Sequence, residues 1–132
     1  MSVVDNYQSV LRQIQSKALE CGRSLNDVSL VAVTKSVEWE DVQQIFDLGQ
    51  RDFGENRLPE ALKKMSQAPQ GCFWHFIGTL QKNKVRKVIE SFSLIHSVDS
   101  FELAQKISDC SRELGRDTHI LLQSNTSGEG SK

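Results

Sequence analysis

The sequence predicts an α/β fold made of five consecutive strand–helix units. Short runs rich in β-branched and aromatic residues alternate with longer segments whose apolar residues recur at helical spacing. The predicted strands recur every 21 to 26 residues, and they end near Lys35, Asn56, Gly78, Asp99 and Asn125. Strands that alternate with helices in this rhythm form a parallel sheet with right-handed crossovers.

The N-terminal segment predicts a helix, and the first strand follows it. One helical stripe of residues 3–21 is apolar and consists of Tyr7, Leu11, Ile14 and Ala18. The run VSLVAVTK at 28–35 is rich in β-branched residues and too short for a typical helix, so it predicts a strand. Glu38, Glu40 and Asp41 then suit the positive end of the next helix.

The same pattern continues to the end of the chain. Further strands are predicted at RDFGEN (51–56), CFWHFIG (72–78), SLIHSVD (93–99) and HILLQSN (119–125). The helices between them are predicted at RLPEALKKM, QKNKVRKVIE and ELAQKISDCSREL. Pro59 falls in a first helical turn, where proline is tolerated. Asp99 is predicted to cap the last helix, with Glu102 completing a capping box.

Two folds fit this pattern, an open doubly wound sheet and a TIM-type barrel. No GxGxxG sequence follows the first strand, which disfavours a dinucleotide-binding fold. In both folds the ligand site lies at the carboxyl ends of the strands. The polar residues near those ends are Lys35, Asn56, His75, Asp99 and Asn125. We therefore expect any binding chemistry to involve this set.

Composition and charge argue against several classes of protein. The 132 residues suffice for one domain, and the net charge of −1 gives no overall field that would attract nucleic acid or an anionic membrane. We expect no secretory signal and no membrane span, because neither pattern of apolar residues occurs. The three cysteines are far apart and lack a CxxC pair, which predicts free thiols in a reducing cytoplasm and no metal site.

Five motifs then point to a family. LVAVTKS, FDLGQRDFGENRLPEALKK, WHFIGTLQKNKVRKV, IHSVDSFELAQKI and LLQSNTSGEGSK occur in order from about residue 28 to the end of the chain. Together they resemble the pyridoxal-phosphate homeostasis protein family, whose single barrel domain is similar to the N-terminal domain of alanine racemase. The resemblance implies the first five βα units of a TIM-type (β/α)8 barrel. Such a barrel needs about 250 residues and eight strands, so we expect residues 1–132 to be one PLP-binding barrel domain truncated at its C-terminal side.

The resemblance also implies a cofactor and the residues that bind it. Lys35 matches the lysine that forms a Schiff base with pyridoxal 5′-phosphate (PLP). Asn56 in GEN, His75 in WHFIG and Asn125 after the last strand match positions around the cofactor pocket, and Lys132 matches a lysine a few residues further on. The family binds and buffers PLP in the cytoplasm, which implies no catalytic residue, PLP-dependent apo-enzymes as partners and a monomer in the full-length form.

The residues themselves leave other interpretations open. A Schiff base needs a neutral amine, so we expect partial burial to lower the pKa of Lys35 from its usual value near 10.4; alternatively Lys35 extends from a strand end into water. Asn56 could cap a helix, a role that is compatible with a ligand contact, and His75 could be a core histidine with satisfied hydrogen bonds. Asn125 could form a turn.

Two other functions remain as alternatives. One is a PLP-dependent racemase-like enzyme, which usually needs a second acid/base such as the tyrosine that another domain supplies in alanine racemase. The only tyrosine here is Tyr7, in the first predicted helix. The other alternative is a non-functional truncated fragment, because an open five-stranded sheet exposes its edges and apolar side chains.

Overall fold

A computed structural model describes residues 2–128 and contains one parallel five-stranded sheet. The strands are β1 (Ala32–Val33), β2 (Asp52–Glu55), β3 (Phe73–Phe76), β4 (Leu94–Val98) and β5 (His119–Leu122). The helices are α1 (Val3–Glu20), α2 (Trp39–Phe46), α3 (Leu58–Gln67), α4 (Val85–Ser91) and α5 (Phe101–Leu114). The predicted alternation of strands and helices is therefore confirmed.

The order of strands in the sheet distinguishes between the two predicted folds. Each strand pairs in parallel with the next one in the chain, giving the order β1-β2-β3-β4-β5. A doubly wound sheet reverses direction at a switch point, whereas a TIM-type barrel adds its strands in sequence. The observed order is that of consecutive barrel units.

The two faces of the sheet have different surroundings. Phe53 pairs with Trp74 and Phe76 pairs with Ile95, and these four side chains are buried in the core against the helices. Side chains alternate between the two faces along each strand, so the residues between these core positions point to the opposite face, which we call the inner face. It carries apolar side chains that remain about half exposed: Val33, Phe73 and Leu121. The main core therefore lies between the sheet and its helices.

The first strand is shorter than predicted. The pattern predicted residues 28–35, but only Ala32 and Val33 pair with β2. Just before them, the carbonyl oxygen of Leu30 accepts a hydrogen bond from the Gln50 side chain at 2.7 Å. A side chain thus takes the place of a ladder partner there, and β1 is confined to two residues at the edge of the sheet.

The predicted cap of the last helix is wrong by one residue, and the alternative cap at Asn56 is not formed. Helix α5 is capped by Ser100, whose Oγ accepts from the backbone N–H of Leu103 at 3.2 Å, so Asp99 is not the cap. Helix α3 has Arg57 at its N-cap position without a side-chain hydrogen bond, so Asn56 does not cap it. Across residues 2–128, no helix is long and apolar enough to cross a bilayer.

Candidate functional site

Lys35 lies in a tight turn directly after β1. The backbone N–H of Val37 donates to the carbonyl of Thr34 at 3.1 Å and closes this turn. Ser36 has a φ of 61°, a left-handed conformation that non-glycine residues rarely adopt. The Lys35 side chain is exposed, and within residues 2–128 its amine has no hydrogen-bond or ion-pair partner. The predicted partial burial of Lys35 is wrong for the described residues, because its turn extends beyond the sheet.

A buried polar cluster, which we call the Thr34 cluster, lies beneath this turn and consists of Thr34, Glu55 and Lys64. Lys64 Nζ donates to the Thr34 carbonyl at 2.6 Å and to Glu55 Oε2 at 2.8 Å, and the Thr34 hydroxyl also donates to Glu55 Oε2. The three residues are only 3, 0 and 6% exposed, respectively. Glu55 and Lys64 were not predicted from the sequence, although Glu55 alternates with Asn56 and so shares the buried side of β2 with Phe53.

Asn56 follows the last residue of β2 and is half-buried. Its side chain makes no hydrogen bond to any other residue between 2 and 128. The backbone at Asn56 lies close to Gly78, since a Cβ placed on Gly78 would come within 2.4 Å of the Asn56 carbonyl oxygen. The carboxyl ends of β2 and β3 are therefore fixed against each other, with an amide side chain available beside them.

His75 belongs to a hydrogen-bonded chain on the inner face. Its Nε2 lies 2.9 Å from Asp52 Oδ1, and its Nδ1 lies 2.9 Å from His96 Nε2. Burial, together with the neighbouring His75, lowers the pKa of His96 below its ordinary value. Both ring nitrogens of His75 are engaged, as expected for a core histidine. His96 was not predicted as a partner of His75, although its spacing from Leu94 predicts that the two residues share a face of β4.

One row of residues crosses the inner face in register. Val33 of β1 pairs with Gly54 of β2, and Gly54 pairs with His75 of β3. Two residues later in their segments come Lys35, Asn56 and Ile77. The structure therefore brings Lys35 and Asn56 to neighbouring strand ends, with His75 one row beneath them.

Asn125 follows β5, which lies at the opposite edge of the sheet from β1. It is exposed, and its Oδ1 accepts from the backbone N–H of Gly128 at 3.1 Å and from the Ser127 hydroxyl at 3.5 Å. These bonds give Asn125 the turn-forming role that the sequence left open. Lys132 lies outside the described residues.

Tyr7 is engaged at the other end of the strands. Its hydroxyl donates to Gln50 Oε1 at 3.0 Å, and the Gln50 amide donates to the carbonyl of Asp52 at 2.8 Å, at the start of β2. This places Tyr7 at the amino ends of the strands, away from Lys35. The geometry therefore gives Tyr7 a structural contact and does not place it as an acid/base partner of Lys35.

Comparisons with known proteins agree with the fold and the motifs. The family model described as alanine racemase, N-terminal domain, matches residues 9–130. Proteins named pyridoxal phosphate homeostasis protein from Pseudomonas aeruginosa and Vibrio cholerae are 40% and 38% identical to the chain over 99% of its length. The chain spans 57% and 58% of those two relatives, respectively.

A solved structure is similar as well. PipY of Synechococcus elongatus, determined with PLP bound, matches with a TM-score of 0.73 at 37% identity, over 86% of this chain and 54% of PipY. The predicted resemblance and the predicted barrel units are both confirmed. The chain belongs to the alanine racemase N-terminal domain family.

Proposed function

We propose that this chain binds PLP through Lys35 and is the PLP-binding part of a protein of PLP homeostasis. The observation that carries the proposal is the exposed amine of Lys35 at the end of a barrel strand, unpaired within residues 2–128. Two kinds of relative support it, since the curated relatives are named for PLP homeostasis and PipY was solved with PLP bound.

The side chains present suit such a ligand. When bound, PLP supplies an aldehyde carbon that reacts reversibly with a neutral amine to give a Schiff base and water. Lys35 would supply that amine, and nothing within the described residues competes for its nitrogen. Asn56 would offer an amide donor and acceptor from the neighbouring strand. His75 would line the base of the PLP site, because both of its ring nitrogens are already hydrogen-bonded, to Asp52 and to His96.

The wider role is part of the same proposal. Reversible covalent binding would sequester a reactive aldehyde and release it intact to PLP-dependent apo-enzymes. We place this role in the cytoplasm and propose that the full-length form is a monomer, with residues 1–132 as the N-terminal part of a single PLP-binding barrel domain. Asn125 is proposed to contribute from the turn after β5, and Lys132 from beyond it.

Trapping experiments test the binding directly. The purified chain is incubated with PLP, reduced with borohydride and mapped by peptide mass spectrometry. We expect the adduct on Lys35, and we expect it to disappear in Lys35→Arg, which keeps the positive charge but supplies no comparable amine. Lys63→Arg replaces an exposed lysine of α3 and serves as the matched control. If PLP instead labels Lys63 as fast as Lys35, the proposal is wrong and the non-functional fragment becomes the better description.

A further inference from the structure

The peptide group that joins Thr34 to Lys35 is held at its oxygen by two donors. The Thr34 carbonyl accepts from Lys64 Nζ at 2.6 Å and from the Val37 backbone N–H at 3.1 Å. Because a peptide group is planar, fixing its oxygen also fixes the direction of the Lys35 nitrogen and hence the start of its side chain. The hydrogen bonds to the Thr34 carbonyl therefore restrict the orientation of Lys35.

This cluster has a composition that stability alone does not explain. Glu55 and Lys64 form a buried ion pair, and a buried pair is often no more stabilising than apolar residues of similar volume. In addition, Glu55 Oε1 is buried without a hydrogen-bond partner within residues 2–128, which is unfavourable in itself. The ion pair includes a donor to the Thr34 carbonyl, Lys64 Nζ, and an apolar pair would have none.

The turn above the cluster needs such support. Ser36 has a positive φ, and a non-glycine residue keeps that conformation only when its surroundings hold it there. Val37 and Lys64 both bind the oxygen at the start of the turn. Loss of the Lys64 contact would leave the Thr34 carbonyl oxygen with a single hydrogen bond, from the Val37 backbone N–H.

We propose that Glu55 and Lys64 are positioning residues that direct the Lys35 amine toward its ligand. The inference rests on the proposed function, since it assigns a role to the residues beneath the PLP-binding lysine. Lys64 holds the Thr34 carbonyl, and Glu55 orients Lys64 and neutralises its charge. Neither residue is proposed to contact PLP.

The test uses the full chain with both charges removed together. Glu55→Met/Lys64→Met replaces the pair with apolar side chains of similar length and leaves no lone buried charge. PLP is added, the adduct is trapped with borohydride, and its rate of formation on Lys35 is measured by peptide mapping. We expect the rate to fall about 10- to 100-fold, as for a reacting group that is displaced by up to about 1 Å. Hydrogen exchange at the Val37 amide should become faster.

Two controls separate positioning from a general loss of stability. Ser111→Ala removes a buried hydroxyl that is hydrogen-bonded to Thr118, away from the turn, so labelling of Lys35 should stay close to that of the unsubstituted chain. Val88→Ala opens a cavity in the buried core of α4 and lowers stability without touching the turn. Labelling of Lys35 in this variant should also be retained under conditions where the protein stays folded.

The outcomes distinguish this inference from the proposed function. If the unsubstituted chain forms no Lys35 adduct, the proposed function fails, while Val37 exchange still tests the turn without PLP. Unchanged Val37 exchange in the double variant, or labelling of Lys35 at the original rate, would overturn the positioning role. So would an equal loss of labelling in Val88→Ala at a matched loss of stability. If the double variant does not fold, Glu55→Gln/Lys64→Met, which keeps an uncharged acceptor for the Thr34 hydroxyl and leaves no lone buried charge, is compared with the same two controls and judged in the same way.

Discussion

His75 and His96 share a hydrogen bond of 2.9 Å between Nδ1 of the first ring and Nε2 of the second. The other nitrogen of His75 binds the Asp52 carboxylate, which can only accept when ionised. When both rings are neutral, His75 must therefore donate to Asp52 and accept from the Nε2–H of His96. The two hydrogen bonds thus fix one tautomer of each ring, with His96 donating to His75 and His75 donating to Asp52.

The lowered pKa of His96 predicts that the protein becomes less stable in mild acid. In the unfolded chain this histidine binds a proton near pH 6.5, whereas in the folded chain it binds one only at lower pH. The unfolded state therefore holds more protons in that interval, and the free energy of unfolding should fall as the pH drops below about 6.5. Urea unfolding between pH 7.5 and 5.5 measures this change.

His96→Gln should make this pH dependence weaker, because it removes the group that titrates. His119→Gln removes an exposed imidazole from the neighbouring strand and is the matched control. Equal pH dependence in the unsubstituted chain and in His96→Gln would contradict the assignment.

Gly78→Ala should destabilise the protein by about 1–3 kcal/mol, as overpacking usually does. The added Cβ would meet the backbone oxygen and Cα of Asn56 at 2.4 and 2.9 Å, and backbone atoms cannot move aside easily. Gly54→Ala is the matched control, because its nearest neighbour is the end of the Ile77 side chain at 3.1 Å, which can rotate. Chemical denaturation should place Gly78→Ala well below Gly54→Ala in stability; the reverse order would refute the close approach.

Ser100→Ala should lower stability by about 0.5–2 kcal/mol, because it removes the side-chain cap of α5. Asp99→Ala should have a much smaller effect, since Asp99 does not cap the helix in the structure. Thermal unfolding of the two variants under the same conditions compares them. A larger loss in Asp99→Ala would restore the cap position that the sequence predicted.

Tyr7→Phe should cost about 0.5–1.5 kcal/mol of stability, the usual net value of one hydrogen bond. The lost bond joins Tyr7 to Gln50, and burial, partly opposed by Arg51, raises the pKa of the phenol. Labelling of Lys35 by PLP should be unaffected, because Tyr7 lies at the amino ends of the strands. A lost racemase activity in Tyr7→Phe, measured with alanine, would instead identify an acid/base role.

Local sequence patterns predicted the elements of the fold because their causes are local. The four residues of β2 lie within the predicted 51–56, and the helix α1 ends one residue before its predicted end. The Thr34 cluster, in contrast, does not follow from any local pattern. Lys64 reads as an ordinary surface lysine in LPEALKK, and only tertiary packing places its amine against Glu55, nine residues earlier in the chain.

The same distinction applies to the candidate site. Lys35 and Asn56 were predicted from their positions at strand ends, and the structure places them just after two neighbouring strands. The partners of His75 were not predicted, because register between strands decides which side chains meet across a sheet. A one-residue change of cap position, as at Ser100, lies within the usual uncertainty of helix ends.

The order of the strands has a consequence for how the chain folds during synthesis. Each strand pairs with the one made just before it, so every register contact closes a loop of only 19 to 25 residues. Short loops lose little entropy on closure, and contacts between nearby residues form fast. Every strand after the first therefore leaves the ribosome when its partner on one side has already been made, so pairing in the sheet need not wait for the end of translation.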